Sequence, residues 1–231
     1  MPPTVRTENK YGLDWVLLNN RWYCVQNYSP THLADGTPIP IVTVNATWAG
    51  LTTPARCVYN NSTDEAFIAK YGYLYNWYGV GDGLEMPCSD CTVPSSAEWD
   101  GLRDWMIASG FNWDGTTEGN KIGKAVASSG GEWSSSGTEG DVGNNQITNN
   151  SSGFTALPGG LRRGSDGAFF FLGLRSLAWG SESKKHVELT NNQELFLVRS
   201  DIRGDNDAIS IRISRPRAKM FLPPQLIYQG L

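Results

Sequence analysis

Gly153-Phe154-Thr155-Ala156-Leu157-Pro158-Gly159-Gly160-Leu161-Arg162 is the stretch on which the reading of this chain turns. Phe154 and Leu157 are apolar anchors, Pro158 fixes φ, and Gly159 and Gly160 admit positive φ, so the segment can turn tightly against neighbouring backbone. It reads as a loop that lines the core. A phosphate cradle would need an apolar strand ahead of the glycines and a helix opening directly behind them. The next residues, Arg162-Arg163-Gly164-Ser165-Asp166-Gly167, read as a second turn, so nucleotide binding is not expected.

Composition bounds the class around that stretch. The 231 residues include 26 Gly and 12 Pro, which points to short elements joined by many turns in one large or two small domains. The net charge is -4, and the basic residues are scattered apart from Arg162-Arg163 and Lys184-Lys185. No electrostatic footprint for nucleic acid results, and none is expected as a partner. No apolar run reaches the ~18 residues that span a bilayer, so membrane insertion is not expected. Residues 1–10 lack the apolar core of a secretory signal and read as an N-terminal arm.

Residues 11–28 alternate well enough for a hairpin, Trp15–Leu18 and Arg21–Val25, turning at Asn19-Asn20. Between Asp64 and Tyr78, apolar residues recur at spacings of three and four, which predicts a helix, or a helix followed by an extended aromatic segment. Ser95-Ser96-Ala97-Glu98 is a capping box, and Trp99, Leu102, Trp105 and Met106 form the apolar stripe of a helix from about Ser96 to Ser109. Periodicity fades from Gly110 to Asn150, where Lys121–Val126 is the one short ordered candidate. The region is too long for an ordinary connection. Strand-like pieces come next at 168–173, 177–179, 186–189 and 195–198, and 209–213 alternates as a half-buried strand should. The last sixteen residues, 216–231, read as an extended tail: Phe221, Leu222, Leu226, Ile227 and Tyr228 are apolar, and Pro223 and Pro224 forbid a continuous helix.

Residues with chemical potential are few. Cys24, Cys57, Cys88 and Cys91 could form disulfides, remain buried thiols, hold one zinc, or act in redox chemistry; only Cys88-Ser89-Asp90-Cys91 has ligand-like spacing. A redox pair would sit at a helix start, but Thr92-Val93-Pro94 stands there instead. His32 and His186 lack the context of a metal or triad site, and each reads as a surface or satisfied polar residue. Arg203-Gly204-Asp205 is assigned no receptor role.

The opening stretch resembles the GF(S/T)ALPGG(Y/L)R signature of the Fibrobacter succinogenes major paralogous domain family. Further pieces resemble it in order: Asp35–Pro40, Tyr71–Tyr78, Val93-Pro94-Ser95 with Glu98-Trp99, and Ser165-Asp166-Gly167. The likeness covers about residues 11 to 215, leaving 1–10 and 216–231 outside a single domain. Where family members read WWSSTE and end in FSVRCV, this chain has Leu177–Glu182 and Ile209–Ile213. The resemblance implies an α+β, C-type-lectin-like fold related to the formylglycine-generating enzymes, with two helices packed on short twisted antiparallel sheets. The cysteine pair of those enzymes would fall in the late strands, where this chain has no Cys, so an enzyme is not expected.

By the same resemblance, ligands are expected on loops and on the outer face of the late strands. That face would carry Trp179, Glu182, Arg199, Asp201, Arg203, Asp205, Asn206 and Asp207. Calcium, common in loops of the wider fold, has candidate ligands in Glu139, Asp141, Asn144 and Asn145, whose spacing is not that of a twelve-residue EF loop. A solvated polar loop is the alternative there. The expected function is a non-enzymatic binding and structural module of a phage particle: a capsid decoration, tail or fibre component. Its expected partners are copies of itself or other virion proteins, bound through the tail, and a cell-surface glycan or protein receptor. A secreted bacterial adhesin or glycan-binding lectin is the alternative.

Overall fold

A computed structural model describes residues 2–182, 184–200 and 203–218. Asp201 of the expected ligand face and the tail residues Phe221, Leu222, Leu226, Ile227 and Tyr228 lie outside the described residues.

Two left-handed residues, Asn19 (φ 48°) and Asn20 (φ 59°), make the tight turn that a right-twisted hairpin favours. They join Leu13–Leu18 to Arg21–Cys24 in register, with Leu18 opposite Arg21, as the alternation predicts. Residues 1–10 are not simply an arm. Arg6–Lys10 pairs antiparallel with Leu13–Leu18, and Glu8 forms an ion pair with the buried Arg215. Ser214–Pro216 closes the other edge against Arg21–Cys24, so this sheet has four strands and draws on both ends of the domain.

Three smaller antiparallel sheets complete the set among the described residues. Arg175–Trp179, His186–Thr190 and Leu197–Arg199 form one, with the middle strand central. Arg56–Cys57 pairs with Leu74–Tyr75, and Gly159–Arg162 with Phe169–Leu172. The described residues also hold five α-helical segments. Only Glu65–Tyr71 and Ser96–Ala108 exceed five residues, so an α+β architecture with two principal helices is what the chain adopts.

The longer helix starts at the expected capping box. The Ser95 hydroxyl accepts from the Glu98 amide and the Glu98 carboxylate accepts from the Ser95 amide. Trp99, Leu102 and Met106 are buried among Val16, Tyr23, Phe154 and Phe196, with Trp99 stacked on Tyr23 at 5.6 Å. Asp64 caps Glu65–Tyr71, which ends at Gly72 (φ 72°); the extended pair Leu74–Tyr75 and a further turn, Trp77–Gly81, come after it. A helix followed by an extended aromatic segment is thus what forms.

In the opening stretch, Phe154 is buried and Ala156 bridges to Ala127 in parallel. At Gly160 (φ +66°) a Cβ would stand 2.4 Å from the Phe170 carbonyl oxygen, so this strand exists only with glycine there.

Residues 208–214 run through the centre. The Cys24 amide donates to the Ile213 carbonyl and Tyr75 pairs with Ile209; Ala208 pairs with Arg162, and Ala178 with Ser210. One short segment thereby touches all four sheets. It is not the half-buried strand that its alternation suggests, because both faces are covered. Ile209, Ile211 and Ile213 enter a core cluster with Trp15, Tyr75 and Trp179, while Ser210, Arg212 and Ser214 are equally buried on the other side.

Candidate functional site

Of the buried arginines, two are held by backbone carbonyls. Arg212 is 3% exposed and donates to the carbonyls of Cys24 (2.7 Å), Val25 (2.5 Å), Phe154 (3.1 Å) and Thr155 (2.6 Å) and to Oδ1 of Asn27 (3.1 Å). Burial pushes its pKa down to about 10. Arg162 is fully buried between the rings of Trp48 and Phe169, at 4.3 and 4.7 Å. It donates to the carbonyls of Gly167, Val42 and Thr43 and to Oδ1 of Asn45. Neither guanidinium has a carboxylate partner among the described residues. Each is held instead by the fixed geometry of carbonyl dipoles, for which a planar five-donor fork is suited. Sequence reading missed both, although Arg212 sits at the parity of Ser210 and Ser214, the cue that these three share a face.

The expected ligand face is largely spent on folding. Trp179 is not an exposed aromatic: it is 0% exposed, packs edge-on to Trp77 at 5.4 Å and donates its indole N–H to the Tyr75 carbonyl. Glu182 accepts from the Ser96 amide and hydroxyl at the start of the long helix. Asn206 binds Trp48 and Ala49, and Asp207 accepts from the Gly164 amide at 2.7 Å. Arg203 donates to Nε2 of the buried His186 at 3.1 Å. Arg199 and Asp205 keep more than a third of their side chains in water. Beneath them lies the buried Glu188, ringed by Arg175 (3.2 Å), Arg199 (3.7 Å) and Arg203 (3.9 Å). Burial alone would raise the Glu188 carboxyl, but the neighbouring His186 and the three arginine charges hold it below its usual range.

The expected calcium ligands do not converge. Asp141 accepts from the Ser136 hydroxyl, and the Asn144 side chain donates to the Ser136 carbonyl. Glu139 points to solvent. The inward carbonyls of Asp141, Asn144 and Asn145 accept from the Lys124 ammonium, which is buried with no carboxylate on it among the described residues and has its pKa lowered by that burial. Lysine therefore occupies the position that a cation would take. Of the cysteines, Cys88 and Cys91 form a disulfide and Cys24 and Cys57 are buried free thiols. Burial pushes those thiols up to about 11 and about 12, so neither is a nucleophile near neutral pH. His32 is exposed beside Thr31 and Glu85.

A cleft of about 590 Å³ lies in the non-periodic region, lined by Trp113, Glu139, Gly140, Asn145 and Thr148 and by Lys124. The loop that presents Trp113 is locked from within. The Asn112 amide donates to Thr116 and to the Glu118 and Gly119 carbonyls and accepts from the Lys121 amide. Asp114 accepts from Thr116 and Lys121, and these bonds, the one from Lys121 foremost, bring its pKa down to about 2. Trp113 is 36% exposed, yet its indole N–H donates to Glu194 at 2.5 Å. Gly140 (φ +89°) lies flat against the ring, where a Cβ would come within 2.5 Å of the indole. The missed signal was an indole in the polar turn Asn112-Trp113-Asp114-Gly115, without the apolar periodicity that marks core tryptophans.

No helix among the described residues is long and apolar enough to cross a membrane. Neither the curated proteins nor the solved structures include a match to the chain. The family comparison matches residues 16–215 to the Fibrobacter succinogenes major domain, close to the extent over which the motifs resemble it. With most of its length matched, and with the signature and the late Ile209–Ile213 motif joined in the core by Arg212, the chain belongs to the Fibrobacter succinogenes major domain family.

Proposed function

We propose that the protein is a non-enzymatic recognition module of C-type-lectin-like arrangement, displayed outward by a phage particle as a decoration, tail or fibre component. The observation that carries the recognition reading is the 110–150 region. This long stretch, almost without regular elements, is nevertheless fixed on the core around an open cleft with a rigid exposed indole. Locked loops on a rigid scaffold are the arrangement that binding surfaces use, because ordering costs are met on folding and not on association. The remaining chemistry supports a non-catalytic role, since both free thiols are held protonated by burial and the buried His186 is engaged by Arg203. The apolar tail would tie the domain to a neighbouring copy or to another particle protein.

A secreted bacterial adhesin is the second reading, and the Cys88–Cys91 disulfide favours it. Disulfides form and persist in oxidising compartments and are rare in the cytosol where phage proteins are made. Proteomics of purified particles and of the source cell's surface fraction, with an antibody to the chain, tests both. Recovery in particles supports the first reading and recovery on intact cells the second. Recovery only in the cytosol would overturn display altogether.

A further inference from the structure

We propose that the Trp113 cleft binds a neutral sugar ring, a pyranoside stacked on the indole with its hydroxyls on Glu139 and Asn145. The inference rests on the recognition reading and names its ligand class and site.

Four observations point there. The indole is a fixed platform, tethered through its N–H to Glu194 and backed by Gly140, so no rotamer freedom is lost when a ligand lands on it. A pyranose offers C–H groups on one face and hydroxyls at its rim, and the C–H groups match the electron-rich face of an indole. Glu139 and Asn145 are both exposed at the cleft, and among the described residues no side chain or backbone group hydrogen-bonds to either side chain. They offer two acceptor oxygens and an amide, the groups that hydroxyls pair with.

The fourth observation concerns charge, which separates a sugar from other flat ligands. The lysine that lines the cleft, Lys124, has its ammonium directed onto three carbonyls, while Glu139 and Glu194 leave the surroundings acidic. A nucleotide or another anion would meet carboxylates and no free cation among the described residues that line the cleft. A purely apolar molecule would strand the polar rim. A neutral polyol satisfies both conditions.

The test uses the full chain on an array of neutral and sialylated or sulfated glycans, with adenosine and a proline-rich peptide as competing flat ligands, and titration of the best glycan by tryptophan fluorescence. We expect binding to neutral glycans. Trp113→Ala should weaken it about tenfold or more, Trp113→Tyr should retain most of it, and Asn145→Ala and Glu139→Gln should each weaken it several-fold. Because Trp113→Ala also removes the bond to Glu194, the Asn145 and Glu139 variants, which break no side-chain hydrogen bond within the described fold, decide the matter if that variant melts early. Absence of glycan binding at millimolar concentration, or variants that bind like the parent, would overturn the assignment. Preference for acidic glycans, adenosine or the peptide would overturn it equally. If the chain binds no glycan yet still labels intact cells saturably, recognition stands and the sugar site falls; if it labels neither, both fall.

Discussion

Residues 208–214 and the loops from Gly110 to Asn150 both carry many polar side chains, and the fold uses them in opposite ways. In the first, alternation suggests a water-facing side, yet that side is interior: Ser210, Arg212 and Ser214 are buried with Asn27, Arg21 and a row of carbonyls as partners. In the second, polarity suggests solvated loops, yet Asn112, Lys124 and Asn149 are buried as internal braces that present a few neighbours, Trp113 among them, to solvent. Polar residues are inexpensive to bury when every donor is matched and costly when one is not. What separates the two regions is therefore where partners lie, and not how polar the residues are.

The comparison breaks most readily at Arg212. Arg212→Ala strands four carbonyls and Asn27 inside the core, and it should destabilise the domain by about 3–5 kcal/mol in urea unfolding. A loss below about 1 kcal/mol would show that the central segment is not the tie between sheets. Glu188→Gln should cost about 1–3 kcal/mol at neutral pH, since Arg175, Arg199 and Arg203 lose their shared carboxylate. Its pH dependence has a definite sign. A carboxyl with a lowered folded pKa stabilises above its unfolded value of about 4.3 and loses that contribution as the pH falls through the folded value. The parent should therefore lose melting temperature from about pH 4.5 downward more steeply than Glu188→Gln, with the two curves converging in acid.

Ser95→Ala removes one side of the capping box and should cost about 1 kcal/mol by thermal melting. Trp113→Ala should cost less than about 1 kcal/mol, because the ring is partly in water. A larger loss would make this indole a core residue and erase the contrast between the regions. Deleting residues 219–231 should leave the melting curve unchanged while abolishing oligomers seen by light scattering, or incorporation into particles. Assembly as before would remove the tail from the interface.

The chain announces its local structure. Asn19-Asn20 specifies its hairpin turn, Ser95 and Glu98 their helix start, and Gly160 a strand that no side chain could enter, because turns, caps and close approaches are settled by atoms a few residues apart or by the absence of a Cβ. The motifs likewise identified the family, and the resemblance to it implied that the stretch after Gly110, where periodicity fades, is a loop-rich insertion held by packing. Placement was decided by tertiary structure alone. Arg212 reaches Val25 across 187 positions, and Trp179 reaches Tyr75 across 104. Lys124 fills the loop whose oxygen-bearing side chains were candidate calcium ligands, and Arg6–Lys10 joins a sheet in which an arm was expected. Whether a polar or aromatic side chain faces water or the interior depends on which partners the rest of the chain brings to it, and that information is not local.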